Sequence, residues 1–243
     1  MVDYFITKID ISNRNLTILP VDIDKYTNLL KLCCQVNQLT SLDNLPPNLQ
    51  ELFCGGNQIT SLDNLPISLQ ILNCRYNNLT SLDNLPSNLQ ELYCHGNKLS
   101  SLDNLPPNLQ ILYCGWNKIT SLDNLPSNLQ KLDCYNNYLT SLDNLPPNLQ
   151  ELYCWSNKLT SLDKLPLNLQ KIWCNNNQLT NLNNLPPNLK VLNCIKNKIT
   201  SLDNLPLNLQ ELYCYNNPLT YDFEPTLKNI RKYNTARKQS SNT

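Results

Sequence analysis

The sequence predicts a curved solenoid whose inner face is one parallel β-sheet, and three observations carry that expectation. A unit of 20 residues repeats almost without interruption through residues 29–220. Cysteine returns at the same step, at Cys34, Cys54, Cys74, Cys94, Cys114, Cys134, Cys154, Cys174, Cys194 and Cys214, and asparagine follows three residues later in every unit. Between these polar turns each unit places about five apolar side chains, each worth roughly 1.5–3 kcal/mol when buried. Ordering the backbone costs about 1–2 kcal/mol per residue. One unit therefore cannot stand alone, whereas a stack that buries both flanks can.

The N-terminal segment, residues 1–31, reads as a cap joined to a longer first repeat. Ile9, Ile11 and Leu16 match the strand and post-turn slots, but Arg14 stands where the other units have asparagine. Ile11 and Cys34 are 23 residues apart, three more than the regular step, and the extra stretch, residues 19–30, has room for a short helical turn. End repeats commonly depart from the pattern because one of their faces meets solvent.

A regular unit, residues 49–68, carries Leu49, Leu52, Cys54, Asn57, Ile59, Leu62, Leu65 and Pro66. If Leu52 and Cys54 point inward, strand alternation turns Glu51, Phe53 and Gly55 to the opposite, concave face. Asn57 sits at a buried turn, where its amide can bond orphaned backbone groups in its own repeat and the next. The strict cysteine step argues for a small buried hydrophobe in a repeated slot, not for a disulfide framework or zinc site. The outer segment, residues 60–68, is too short and too marked by proline for a helix, so it should be extended or turn. Eleven short strands follow, at about 4.8 Å spacing. After residues 32–220, a cap of residues 221–243 should hold a helix opening near Pro225, with Leu227 and Ile230 covering the last repeat. Lys228, Arg231, Lys232, Arg237 and Lys238 make that cap basic, and residues 239–243 should be disordered. The whole chain, 1–243, is expected to be a single solenoid domain.

The pattern Leu49, Leu52, Cys54, Asn57, Ile59 resembles the leucine-rich repeat consensus L-x-x-L-x-L-x-x-N-x-L, with cysteine in the third apolar slot. The resemblance implies a leucine-rich repeat solenoid, an α/β-horseshoe-like superhelix. The 20-residue unit is similar to the short leucine-rich repeats of bacterial type III-secreted effectors, which carry Leu-x-x-Leu-Pro on the convex side, matched here by Leu62-Asp63-Asn64-Leu65-Pro66. Two departures bear on function. Cysteine replaces the usual strand valine or leucine, and no ubiquitin-ligase domain is expected after the repeats, so catalysis is not carried over. The asparagine- and lysine-rich composition suggests an AT-rich genome and an amoebal giant virus as source.

Lysine and arginine, 19 together, balance 19 aspartates and glutamates. Zero net charge removes the main electrostatic case for a nucleic-acid partner. Residues 1–11 lack a signal-peptide core, and no stretch approaches a membrane span, so an intracellular, soluble monomer without cofactor or metal is expected. The sequons at Asn15 and Asn78 would matter only in a secreted chain.

Function is sought where the repeats differ. The convex string SLDNLP recurs verbatim seven times, whereas the concave column Gln35, Gly55, Arg75, His95, Gly115, Tyr135, Trp155, Asn175, Ile195, Tyr215 uses eight residue types. All three tryptophans and most of the tyrosines fall on or beside that face. The densest group is Tyr113, Trp116, Tyr135, Tyr153, Trp155 and Trp173, and such rings are over-represented at binding hot spots. A protein partner bound there is the expected function; the alternative is a structural repeat protein whose rings merely stabilise neighbouring strands. An enzyme would have to use His95, the lone histidine, which has no acid fixed beside it in its repeat. The column from Asp43 to Asp203 lacks the glycine-rich calcium pattern, and bonding to nearby turn backbone is the expected role.

Overall fold

The computed structural model describes residues 5–240. Eleven three-residue strands form one sheet: β1 (Lys8–Asp10), β2 (Lys31–Cys33), β3 (Glu51–Phe53), β4 (Ile71–Asn73), β5 (Glu91–Tyr93), β6 (Ile111–Tyr113), β7 (Lys131–Asp133), β8 (Glu151–Tyr153), β9 (Lys171–Trp173), β10 (Val191–Asn193) and β11 (Glu211–Tyr213). They lie in chain order, each parallel to the next, and Leu32, Leu52, Leu72 and Leu92 are register partners in succession. This is the leucine-rich repeat solenoid that the period implies. The longer first unit holds a single 3-10 turn, Ile23–Lys25. From Thr27 to Thr226 the backbone between strands is turn or extended.

The core is one continuous column of leucine, isoleucine and cysteine. Leu52, Cys54 and Ile59 are fully buried, as are their equivalents in the repeats on either side. All eleven cysteines are free and buried. Burial in this column pushes the thiols of Cys54, Cys94, Cys114, Cys134, Cys154 and Cys174 well above the ordinary range, so they stay protonated and serve as packing. Cys174 and its neighbour Cys194 also donate weakly to the following strand, Cys174 Sγ to Asn193 O at 3.3 Å and Cys194 Sγ to Tyr213 O at 3.4 Å.

The ladder asparagines reach the preceding repeat, not the next one. Asn57 Nδ2 donates to Cys54 O and to Cys34 O, and its Oδ1 accepts the N–H of Leu39. The chain leaves each strand and turns back toward the repeat already laid down, which fixes the direction of reach. The same geometry covers the first unit, where Asn37 accepts the N–H groups of Arg14 and Leu16. A second asparagine ladder, unforeseen from sequence, runs through the turns before β3 and β5 to β11, with Ser68 in the same place before β4. Asn108 Nδ2 donates to Ser87 O and Asn128 Nδ2 to Pro107 O, at 3.0 and 3.1 Å.

Where the convex aspartates are bonded, as at Asp43, Asp63, Asp83, Asp123 and Asp143, their carboxyls meet side chains and not turn backbone. Ser61 Oγ donates to Asp63 Oδ2 at 2.6 Å, and Asn84 Nδ2 of the next repeat donates to Asp63 Oδ1 at 3.0 Å. These bonds, the serine's first, hold the Asp63 carboxyl below its usual range, and they offset the repulsion between stacked acids. The asparagine also takes a left-handed backbone, φ 61° at Asn64 and 62° at Asn84, which its short polar side chain tolerates. Where Lys164 replaces it, an ion pair with Asp143 at 3.3 Å stands in for the amide.

At the C-terminal end, α1 (Leu227–Ser240) lies across the last repeat. Ile230 is fully buried. Arg231 donates to the carbonyls of Leu207 and Leu209, and Asn234 to those of Leu202 and Asp203. The basic residue Arg231 therefore closes the orphaned carbonyls of the final turn. So anchored, the helix continues through Gln239 and Ser240, which the sequence had assigned to a disordered tail; residues 241–243 lie outside the described residues.

Candidate functional site

Three columns of side chains cover the concave face. The first strand position supplies Lys131, Glu151 and Lys171, the third supplies Tyr113, Asp133, Tyr153 and Trp173, and the position after the cysteine supplies Gly115, Tyr135, Trp155 and Asn175. Parallel register brings each residue beside its equivalent one repeat away.

The rings meet in pairs. Tyr135 stacks on Trp155, centroids 4.3 Å apart and planes 13° from parallel. Tyr93 stacks on Tyr113 at 4.9 Å, and Tyr153 meets Trp173 edge-on at 5.6 Å. Gly115 makes the first of these possible. A Cβ there would lie 2.3 Å from two ring carbons of Tyr135, so the tyrosine ring rests on bare backbone with Trp155 on its other side.

Cations thread the aromatic ladder. Lys131 Nζ is 5.5 Å from the Tyr113 centroid, 5.4 Å from that of Tyr153 and 3.0 Å from Glu151 Oε2. Burial works against its charge, but the Tyr113 hydroxyl and Glu151 hold its ammonium above the usual range. Lys171 Nζ lies 5.3 Å from Tyr153 and 5.0 Å from Trp173. The phenol of Tyr153 donates to Glu151 at 2.8 Å, and burial together with that carboxylate pushes it up to about 12. Asp133, flanked in register by Tyr113 and Tyr153, is pushed up to about 6 by burial, opposed only by the Tyr135 N–H and Lys131.

Five of the six expected site residues thus come together: Tyr113, Tyr135, Tyr153, Trp155 and Trp173. Trp116 does not join them. It sits one residue further along the turn, at φ 53°, and is 55% exposed. Sequence reasoning did not name Asp133, and although it placed Asn175 in the concave column it assigned neither Asn175 nor Lys131 to the site. Their columns were readable, but aromatic content alone gave no weight to the charged and amide neighbours.

Two polar atoms beside the rings lack partners. Trp173 Nε1 and Asn175 Oδ1 are buried and find no hydrogen bond within the protein. His95 Nδ1 is in the same condition, with its ring edge-on to Tyr76 at 5.2 Å. Burial, then Arg75, lowers its pKa, so it is neutral and has no acid to orient it. Among the described residues no three His, Cys, Asp or Glu side chains group as metal ligands, and no helix is long and apolar enough to cross a membrane.

Residues 87–127, 107–147 and 127–167 match the family described as Leucine Rich repeats (2 copies). The chain is a leucine-rich repeat protein. Its leucine-rich repeats are similar to those of YopM from Yersinia enterocolitica WA-314, with 39% identity and a TM-score of 0.76 over 83% of this chain and 45% of YopM. YopM is a leucine-rich effector protein, so the resemblance to bacterial effector repeats holds. The functional domain of InlJ from Listeria monocytogenes, which includes a cysteine ladder, is 35% identical with a TM-score of 0.66, over 86% of this chain and 53% of that domain. The LRIM1/APL1C complex matches at 25% identity and a TM-score of 0.74, over 87% of this chain and 44% of that one. The chain therefore spans about half the length of these structures. No curated protein sequence matches it. Nothing supports the viral source that composition suggested.

Proposed function

We propose that this leucine-rich repeat protein is a non-enzymatic interaction module whose concave face binds a protein partner through Tyr113, Tyr135, Tyr153, Trp155 and Trp173. Leucine-rich repeats are a protein–protein interaction scaffold, and their structural neighbours are mostly interaction modules. The observation that carries the finer reading is the pair of unpartnered atoms in the ladder. Trp173 Nε1 is a donor and Asn175 Oδ1 an acceptor. A buried polar atom without a bond costs about 1–3 kcal/mol, and a partner whose docking turns these two side chains onto its own acceptor and donor recovers it. Tyrosine and tryptophan beside such atoms are the residue types that dominate binding energy elsewhere. A site of action in host cytoplasm is consistent with similarity to an effector, and the proposed acting form is a monomer.

One observation favours the alternative of a structural repeat without a dedicated ligand. The rings stack on one another and the Tyr93 and Tyr153 phenols already bond Glu91 and Glu151, as a purely stabilising ladder would. Affinity capture from host-cell lysate separates the two. The native chain is compared with the triple variant Tyr135→Ser, Trp155→Ser, Trp173→Ser, with melting curves for both. Loss of the captured protein at comparable melting supports the concave site. Equal capture by both baits, or no capture and a much lower melt for the variant, removes it.

A further inference from the structure

Charge is not spread evenly around this solenoid. Each repeat leaves the sheet through the same seven positions, from the cysteine to the hydroxyl residue after the asparagine turn. Over the ten repeats, from residues 34–40 to residues 214–220, these positions contain Arg75, in the concave column, then Lys98, Lys118, Lys158, Lys196 and Lys198 beyond that column, and no aspartate or glutamate. All six cations are exposed, and none is paired with a carboxylate among the described residues. Within the regular repeats the acids lie elsewhere, in the convex serine–aspartate turns, in the first strand column and at Asp133 of the third. Zero net charge therefore averages an acidic convex side with a basic rim at the C-terminal ends of the strands.

Exposed rings alternate with these cations. Tyr76, Trp116 and Tyr138 are 53%, 55% and 49% exposed. Lys158 Nζ stands 5.1 Å from the Tyr138 centroid, and no ring packs on Trp116 among the described residues. Tyr76 and Trp116 occupy a left-handed position, φ 51° and 53°, which Gly56, Gly96, Asn136, Ser156, Asn176 and Asn216 fill in other repeats and Val36 and Lys196 in the remaining two. A bulky side chain there is disfavoured, and its exposure gives the core nothing in return.

The chemistry of the rim narrows its occupant. Its backbone cannot recruit an added strand, because Tyr76 N–H, Trp116 N–H, Lys98 N–H and Lys118 N–H are all bonded to neighbouring repeats. Recognition must come from ammonium groups set at the repeat step and from flat ring faces between them. We infer that this rim binds single-stranded nucleic acid, with the lysines on phosphates and the rings of Trp116 and Tyr138 against bases. That pairing of basic track and stacking platform needs no sequence preference.

The test is a fluorescence-anisotropy titration of a labelled oligouridylate with the full chain at two salt concentrations. The variants are Lys98→Gln, Lys118→Gln, Lys158→Gln combined, and Trp116→Ala alone; all alter exposed side chains, and unchanged urea midpoints verify their folding. The expected result is saturable binding by the native chain. The lysine variant should bind at least about tenfold more weakly, and its log–log salt slope should fall by about two, from roughly 0.7 per phosphate contact. Trp116→Ala should weaken binding about fivefold or more with an unchanged slope. The concave variant Tyr135→Ser, Trp155→Ser, Trp173→Ser should bind the oligonucleotide as the native chain does. No binding by the native chain, undiminished binding by the lysine variant, or loss only in the concave variant would overturn the inference. So would equal affinity for an oligoglutamate of matching charge, which would assign the rim to acidic peptides.

Discussion

Replacing one ladder asparagine by alanine reads the stability of the whole stack. Asn137 Nδ2 donates to Cys114 O and Cys134 O, both at 3.1 Å, and its Oδ1 accepts the N–H of Ile119 at 2.9 Å. Both carbonyls keep a second donor, Asn117 and Asn157 respectively, so each loses one of two bonds. The Ile119 N–H loses its only side-chain acceptor and is left buried. An orphaned donor costs about 1–3 kcal/mol and each of the two lost carbonyl bonds about 0.5–1.5 kcal/mol, so Asn137→Ala should destabilise by about 2–6 kcal/mol. The control is Asn128→Ala in the second ladder, where one exposed bond to Pro107 O is lost and less than about 1 kcal/mol is expected. Urea unfolding followed by circular dichroism and by tryptophan fluorescence measures both. A lesion at mid-stack weakens the coupling between the halves of a repeat array, so the two probes should separate in Asn137→Ala and coincide in the native chain. A loss under about 1 kcal/mol for Asn137→Ala, or equal losses for both variants, would refute the assignment of the buried ladder as the main polar tie.

Three further expectations follow from the same geometry. Because burial holds the ladder thiols protonated, a maleimide at pH 8 should label the folded chain at most at Cys33, and label the other ten only after unfolding; mass spectrometry showing several adducts on folded chain would contradict this. Burial raises the folded-state pKa of Asp133 to about 6 from 3.8, so the folded chain binds the extra proton between those values and stability should fall as pH rises through that window. Asp133→Asn should remove this slope and gain about 1–3 kcal/mol at pH 7, measured by urea midpoints at pH 4.5 and 7; an unchanged slope would place the titration elsewhere. Gly115→Ala should force Tyr135 off the backbone and off Trp155, at about 1–3 kcal/mol, and a shift of the near-ultraviolet signal should accompany it; unchanged stability and spectrum would mean that the stack does not depend on the glycine.

The path from sequence to fold was short wherever the 20-residue period applies. The buried columns at Leu52, Cys54 and Ile59 were legible because burial at one slot requires it at every equivalent slot. The turn chemistry was less legible. Asp63 was read with a backbone partner because a single sequence shows neighbours along the chain, while its second bond comes from Asn84 in the next repeat. The ladder before the strands, at Asn108 and Asn128, was hidden for the same reason. At the site, column identity placed Tyr135, Trp155 and Trp173 on the concave face, but not the rotamers that stack two rings and leave Trp173 Nε1 unpaired. Trp116 shows the converse, since a one-residue offset and a left-handed backbone carry it to the rim.

The most direct test of the concave account places a photo-crosslinking side chain at Trp155 in one variant and at Asp123, on the convex turn, in another. Both are irradiated in the same host-cell lysate. The account predicts one discrete adduct from the Trp155 position, lost when Tyr135→Ser and Trp173→Ser are added, and none from Asp123. An adduct formed from Asp123 and not from Trp155 would contradict it.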